Sequence, residues 1–287
     1  MLTSNGPLIP FALAVVYLLL IIILTILIDF HKVYIPVISD WVNLYPAAIF
    51  WLQINREAGL TENLQWLFLF ISFCAALAVI YLQRGSWTLE RLGVLFLSIG
   101  LAIMFLEDVF NVRHALSWYI SSFFYDGLVG SYEWRTSAFR SVIEIAFYAF
   151  LGSIMVAAFY FLYFRSKISS RTRILLIGGY LIYGVASFAS ATRNIGDWYA
   201  KLGKAILDPL LKNRNVSWDA DSIIFFSDPV SFWFMDLLVE ESLELLGSAL
   251  LLSAILSVLA QTLSNTVNDA VQSLPWPAVT GALFVFI

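Results

Sequence analysis

The sequence predicts an all-α fold: a polytopic transmembrane bundle of six spanning helices, with short interfacial helices on its outer face. Three observations lead there. Of 287 residues, 61% are hydrophobic and 13% charged, with a mean hydropathy of +0.85, which leaves too little polar surface to coat a water-soluble globule. Six runs reach the roughly 20 apolar residues that a helix needs to cross a hydrocarbon core of about 30 Å. The basic residues of the short connections fall on one side, as membrane orientation requires.

The first run, residues 8–28, has no small-x-small cleavage site before Asp29. It is also too long for a signal-peptide core, so it is expected to stay as a helix. The remaining runs cover residues 64–82, 92–110, 141–164, 174–192 and 232–261. Residues 1–261 thus form the transmembrane domain, and 262–287 a tail whose apolar end is too short to span and would lie in the interface or dock on a partner. Cys74 lies inside an apolar run and reads as a small packing residue. The fifth run carries Gly178, Gly179, Gly184, Ala186, Ser187, Ala189 and Ser190, small residues that let backbones approach in lipid, and is expected to be the central helix.

Orientation follows from the short loops. Arg84 and Arg91 lie between the second and third runs, and Arg165, Lys167, Arg171 and Arg173 between the fourth and fifth. With those loops inside, both termini are cytoplasmic and the chain is a multi-pass protein of a bacterial inner membrane. The long connections 29–63, 111–140 and 193–231 are then outside. They or the adjoining helix ends hold Trp41, Trp51, Trp66, Trp118, Trp134, Trp198, Trp218 and Trp233, the placement expected of amphipathic rings at a headgroup boundary. Segments 47–54 and 115–125 are apolar, aromatic and too short to span, and are expected to lie along the interface or cap the bundle. The triplet Asn215-Val216-Ser217 matches a glycosylation acceptor and carries little weight alone.

The ionisable residues are gathered. The third run ends with Glu107, Asp108, Arg113 and His114; the fourth opens with Arg140 and Glu144; the fifth ends at Arg193; the sixth carries Asp236, Glu240, Glu241 and Glu244. Helical spacing puts Glu107, Asn111 and His114 on one stripe if the third helix continues past Phe110, and Asp236, Glu240, Glu244 and Gly247 on another. At about 1.5 Å per residue Glu244 lies roughly 16 Å beyond Trp233, which requires that face to turn inward. Asp236 and Glu241 have the alternative of facing water or headgroups.

Seven acids (Glu107, Asp108, Glu144, Asp236, Glu240, Glu241 and Glu244) stand against three arginines, Arg113, Arg140 and Arg193. Burying the surplus uncompensated is prohibitive, so it must be met by protons, a cation or a partner. A purely structural ion network weighs evenly against a cation or proton site. As a metal site, carboxylates with the His114 imidazole suit a hard or borderline divalent ion such as Mn, Fe, Ca or Zn. The paired Glu-x-x-His motifs of a di-metal bundle are absent, and with only His31 and His114, both at helix ends, haem has little support.

Asp108-x5-His114 together with Glu240-Glu241-x-x-Glu244-x-x-Gly247 resembles a group of bacterial multi-pass membrane proteins with an Asp-Glu…His-Glu segment and a Glu-Glu-x-Leu-Glu-x-x-Gly segment. Val109 and Ala115 stand where that pattern has acids. The resemblance implies that the two segments belong to one site; it implies no activity.

Three functions remain open. The first is a cation- or proton-binding site in the outer half of the bundle. The second is an accessory or scaffold subunit that meets other membrane proteins through the outer loops and the apolar tail. The third is a membrane enzyme acting on lipid or quinone, with Glu107 and His114 as acid and base. The chain has no phosphate loop, CxxC pair, nucleophile elbow or basic tail, and its net charge is -4. The common soluble enzyme classes and nucleic-acid partners are therefore not expected; the lipid bilayer is the expected partner.

Overall fold

The computed structural model describes residues 6–31, 33–36, 38, 50–55, 59–84, 88–125, 133–193, 195–211 and 230–273. All regular structure among them is helical. The helices are α1 (Ile9–Thr25), α2 (Phe50–Ile54), α3 (Leu60–Leu82), α4 (Leu89–Phe110), α5 (Val112–Tyr125), α6 (Glu133–Tyr160), α7 (Ser170–Thr192), α8 (Trp198–Leu211), α9 (Val230–Trp233) and α10 (Glu241–Ser273). Three π-helical turns, Ile26–Phe30, Phe161–Arg165 and Phe234–Glu240, extend α1 and α6 and lead into α10. Six helical segments are long and apolar enough to cross a membrane. The protein is therefore a multi-pass membrane protein.

The capping residues show why the spans begin where they do. Thr88 accepts a hydrogen bond from the Arg91 amide, and Ser169 one from the Thr172 amide, each satisfying a first-turn donor that would otherwise face lipid or the loop. Pro10 near the start of α1 removes one such donor outright. The last span is longer than its apolar run: α10 continues unbroken to Ser273, because nothing in Gln261–Ser273 stops a helix. The Asn215 triplet and the apolar end of the tail lie outside the described residues.

The bundle is organised around α10, which packs along α7, α3 and α1, while α3 packs on α4 and α4 on α6. The central helix is therefore the sixth span and not the fifth, since α10 carries the larger buried share. The small residues of the fifth run act at its contact with the sixth. A Cβ on Gly179 would meet Leu251 atoms at 2.8 and 2.9 Å, and one on Gly247 would meet Cβ and N of Tyr183 at 2.8 and 2.9 Å. Glycine at these positions allows the two backbones to touch, as lipid-embedded helices require. Cys74 faces outward on α3 and is not a packing residue.

Antiparallel neighbours bring the ends of α1, α4 and α7 and the starts of α3, α6 and the α9–α10 segment to one end of the bundle. This acidic end lies opposite the basic α3–α4 and α6–α7 turns. There Trp51 is wholly buried against Leu207, Phe234 and Leu237, so it is a core residue and not a headgroup anchor. Asp29 organises this small core. Both its carboxylate oxygens accept backbone N–H groups of α2, from Phe50 at 2.8 Å and Trp51 at 3.0 Å, and thus supply the anion that a helix start prefers.

Candidate functional site

The site begins with a turn. α4 stops at Phe110, and Asn111 takes the left-handed conformation (φ 50°), its amide bonded to the Glu107 carbonyl. Asn is among the few non-glycine residues that tolerate this region. The helix therefore does not continue, and the expected stripe of Glu107, Asn111 and His114 is broken. The turn instead folds Arg113 back, so that its Nε lies 3.4 Å from Glu107 Oε1, while its Nη1 donates to the Tyr148 hydroxyl and to Ser190 Oγ. His114 belongs to α5, and its side chain lies outside the described residues.

The expected stripe on the sixth span is also re-aimed. Phe234–Glu240 is a π turn, wider than an α turn, and it sends the acids within it and the acids after it to different neighbours. Asp236 is ion-paired with Arg193. Glu240 accepts from the Tyr199 hydroxyl at 2.5 Å. Glu244, one turn further in, accepts from Gln65 Nε2 at 2.9 Å. Asp236 does not face water, its side chain being largely buried against Arg193. Glu241 Oε2 is buried with no hydrogen-bond partner among the described residues.

The centre of the arrangement is one amide. Gln65 Nε2 donates to Asp108 Oδ2 at 2.6 Å and to Glu244 Oε2 at 2.9 Å, and so joins acids from two different spans. Tyr183 donates to the same Asp108 oxygen at 3.2 Å; the close approach at Gly247 brings Tyr183 there. Gln65 is 1% exposed, and its Oε1 is buried without a hydrogen-bond partner among the described residues. Asp108 is also within hydrogen-bonding reach of the Glu107 carboxyl.

Around this centre lies a second, better-neutralised group. Burial, and after it the carboxylates of Glu240 and Asp236, push the Tyr199 phenol above the ordinary tyrosine range, so it remains a donor. Burial alone would lower Arg193, but Asp236 and then Glu240 outweigh it and hold the guanidinium charged. Glu144 is buried, accepts from Ser117 Oγ at 3.4 Å and lies within electrostatic reach of Arg193. Arg140 stacks 3.6 Å over the Trp118 ring, a cation–π contact. Ser190 touches both groups, through Arg113 and Glu240.

Glu107, Asp108, Glu144, Glu240, Glu241 and Glu244 thus lie at one end of the bundle, with Arg113 and Arg193 among them and Arg140 held over the Trp118 ring. Arg113 and Arg193 are each committed to an acid. Gln65, Tyr183 and Tyr199 bond the acids directly, while Tyr148 and Ser190 bond Arg113; all five are uncharged, so a pattern of charges does not mark them. Among the described residues, no group of three or more His, Cys, Asp or Glu is arranged to hold a metal ion. Comparisons with protein-family models, with curated proteins and with solved structures give no match for this chain.

Proposed function

We propose that this membrane protein binds positive charge, a proton or a cation, at the acidic end of its bundle, with Asp108 and Glu244 as the central groups and Gln65 as their shared ligand. The observation that carries the reading is the single Gln65 amide nitrogen between two carboxyl groups of different spans. Acids within a span are costly and usually functional, and the two nearest arginines are engaged by Glu107 and Asp236. The leftover acceptors Gln65 Oε1 and Glu241 Oε2 support the same reading, since a positive guest would complete them. A proton fits this arrangement better than a divalent Mn, Fe, Ca or Zn ion, whose usual three-ligand grouping is missing among the described residues.

The test is unfolding of the purified full chain between pH 5 and 9, and with added Na⁺, K⁺, Ca²⁺, Mn²⁺ or Zn²⁺. If the guest is a proton, stability falls as pH rises, because the folded state holds a proton that the unfolded chain releases. If it is a cation, stability rises with its concentration. Either response shrinks in Glu244→Gln. A wild type indifferent to pH and to all five cations sinks the proposal.

A second reading, a scaffold subunit of a membrane assembly, is favoured by α5, where Trp118, Tyr119 and Phe123 are 60%, 73% and 77% exposed. Native mass measurement from gently solubilised membranes tests it, and a lone monomer counts against it. Both readings carry the proposal of a bacterial inner membrane with the acidic end outside. It is supported by the basic α3–α4 and α6–α7 turns at the opposite end, and labelling of cysteines introduced at Ser122 and Ser170 from each side of the membrane tests it.

A further inference from the structure

The end of the bundle opposite the acids is basic. The α3–α4 and α6–α7 turns, with the helix ends beside them, carry Arg84, Arg91, Arg165, Lys167, Arg171 and Arg173. The two turns are neighbours: Gly93 near the start of α4 lies so close to the π turn Phe161–Arg165 that a Cβ there would meet Phe161 and Leu162 atoms at 2.9 Å. Among the described side chains Glu90 is the one carboxylate at this end, and its Oε1 accepts from Gln83 Nε2 at 2.8 Å. Arg84, Arg165, Lys167 and Arg173 form no ion pair among the described residues.

What the fold supplies to three of these guanidinium groups is neutral. Arg84 donates to the Tyr81 hydroxyl at 3.1 Å and lies 4.7 Å from the centre of that ring. Arg165 donates through Nε and Nη2 to the Tyr160 hydroxyl at 3.2 and 3.0 Å and lies 5.6 Å from its ring centre. Arg173 donates to the Ser166 carbonyl at 3.3 Å and lies 5.6 Å from the Tyr163 ring centre. Hydroxyls, carbonyls and rings fix the direction of an arginine without cancelling its charge. The backbone of the α6–α7 turn is pinned as well, since Gln261 of α10 donates to the Lys167 carbonyl at 3.0 Å and Ser169 caps α7. Membrane orientation asks only that such turns be basic; it does not ask that their guanidinium groups be held still. Groups ordered beforehand lose less entropy when they bind an anion.

The place of these residues says which anion. Tyr81, Tyr160 and Phe164 are 63%, 42% and 63% exposed and belong to the last turns of spans, so whatever meets the guanidinium groups also meets apolar rings at the level where hydrocarbon gives way to headgroups. We propose that the basic end is a site for an anionic phospholipid. Arg165 holds its phosphate at the α6–α7 turn with Lys167 and Arg173 beside it, Arg84 and Arg91 of the neighbouring turn add to the attraction, and its acyl chains lie along the exposed rings. The headgroup is one without an amine, because a zwitterionic headgroup brings a cation of its own that these residues repel. The proposal is independent of the carboxyl site and of the membrane face on which the basic end lies.

The experiment is native mass spectrometry of the full chain released from micelles titrated with phosphatidylglycerol or with phosphatidylcholine of the same acyl chains. Wild type retains phosphatidylglycerol at lower concentration than phosphatidylcholine. Arg165→Gln, at an exposed position that the fold tolerates, weakens phosphatidylglycerol roughly fivefold and leaves phosphatidylcholine unchanged; adding Arg84→Gln weakens it further. Lys204→Gln, at an exposed lysine of α8 near the acidic end, removes the same charge and has no such effect. Equal affinity of wild type for the two lipids, an unaltered affinity in Arg165→Gln, an equal loss in Lys204→Gln, or displacement of the lipid by equimolar glycerol phosphate, which would make the ligand a soluble phosphate, would each overturn the proposal.

Discussion

Replacing Gln65 with leucine roughly keeps the side-chain volume and deletes the amide, both its NH2 donor and an Oε1 acceptor that has no hydrogen-bond partner among the described residues. The donor makes two short bonds, to Asp108 at 2.6 Å and Glu244 at 2.9 Å, and a longer one to the Tyr183 hydroxyl at 3.5 Å. Side-chain hydrogen bonds between membrane helices contribute about 0.6 kcal/mol each on average, with a maximum of about 1.7, and bonds to charged acceptors about 1.5–3. If both carboxyl groups are neutral, Gln65→Leu costs on the order of 1 kcal/mol. If one carries a negative charge, the loss approaches about 3 kcal/mol, because an ionised acceptor is left buried. The size of the effect therefore reports the charge state of the centre. The assay is reversible unfolding in mixed micelles of wild type, Gln65→Leu, Glu244→Gln and the double variant. Groups in one network show coupling of about 0.5–3 kcal/mol. A Gln65→Leu cost below about 0.5 kcal/mol, or strict additivity with Glu244→Gln, would refute the claim that this amide joins the two acids.

Gly247→Leu should cost about 1–3 kcal/mol by forcing α10 away from Tyr183, and cross-linking between cysteines placed on α7 and α10 should slow accordingly. Arg193→Met should destabilise by about 3–5 kcal/mol, since Asp236 is left buried without its partner; adding Asp236→Leu should recover much of that loss, and a double variant no better than the single one argues against the pair. Asp29→Ala should cost about 1–2 kcal/mol by uncapping α2 and should speed proteolysis near Phe50, whereas Asp29→Asn, which keeps one acceptor, should be milder.

The six spans were legible because lipid imposes a length and a composition that few other constraints mimic. The gathering of acids was legible for a related reason: a charge in an apolar run stands out. What sat between the acids was not. Gln65, Tyr183 and Tyr199 are single uncharged polar groups at positions where aromatic and amide side chains are ordinary, and only three-dimensional contact shows what they hold. Asn111 could have been read as a helix stop, since Asn suits the left-handed cap, but the apolar residues that follow continue a helical pattern and mask the break. The π turn at Phe234–Glu240 is invisible for a similar reason: one wide turn alters register without altering composition. Glycine content marks where a helix is touched, not how much of it is enclosed, so the small residues of the fifth run do not make it the central helix. The long α10 is enclosed by α1, α3 and α7.

That α10 is the hub has a consequence for how the protein is made. It is the last of the six spans to leave the ribosome, yet α1, α3 and α7 all pack against it. At about 5–20 residues per second, roughly 9 to 36 seconds separate the synthesis of Gln65 from that of Glu244. Through that interval the earlier helices sit in the bilayer without their main neighbour, and Gln65 and Asp108 lack the third member of their group. Assembly of this bundle is therefore a closing step made from the C-terminal side, and a chain cut short before α10 would leave its polar contacts open to lipid and to quality-control proteases.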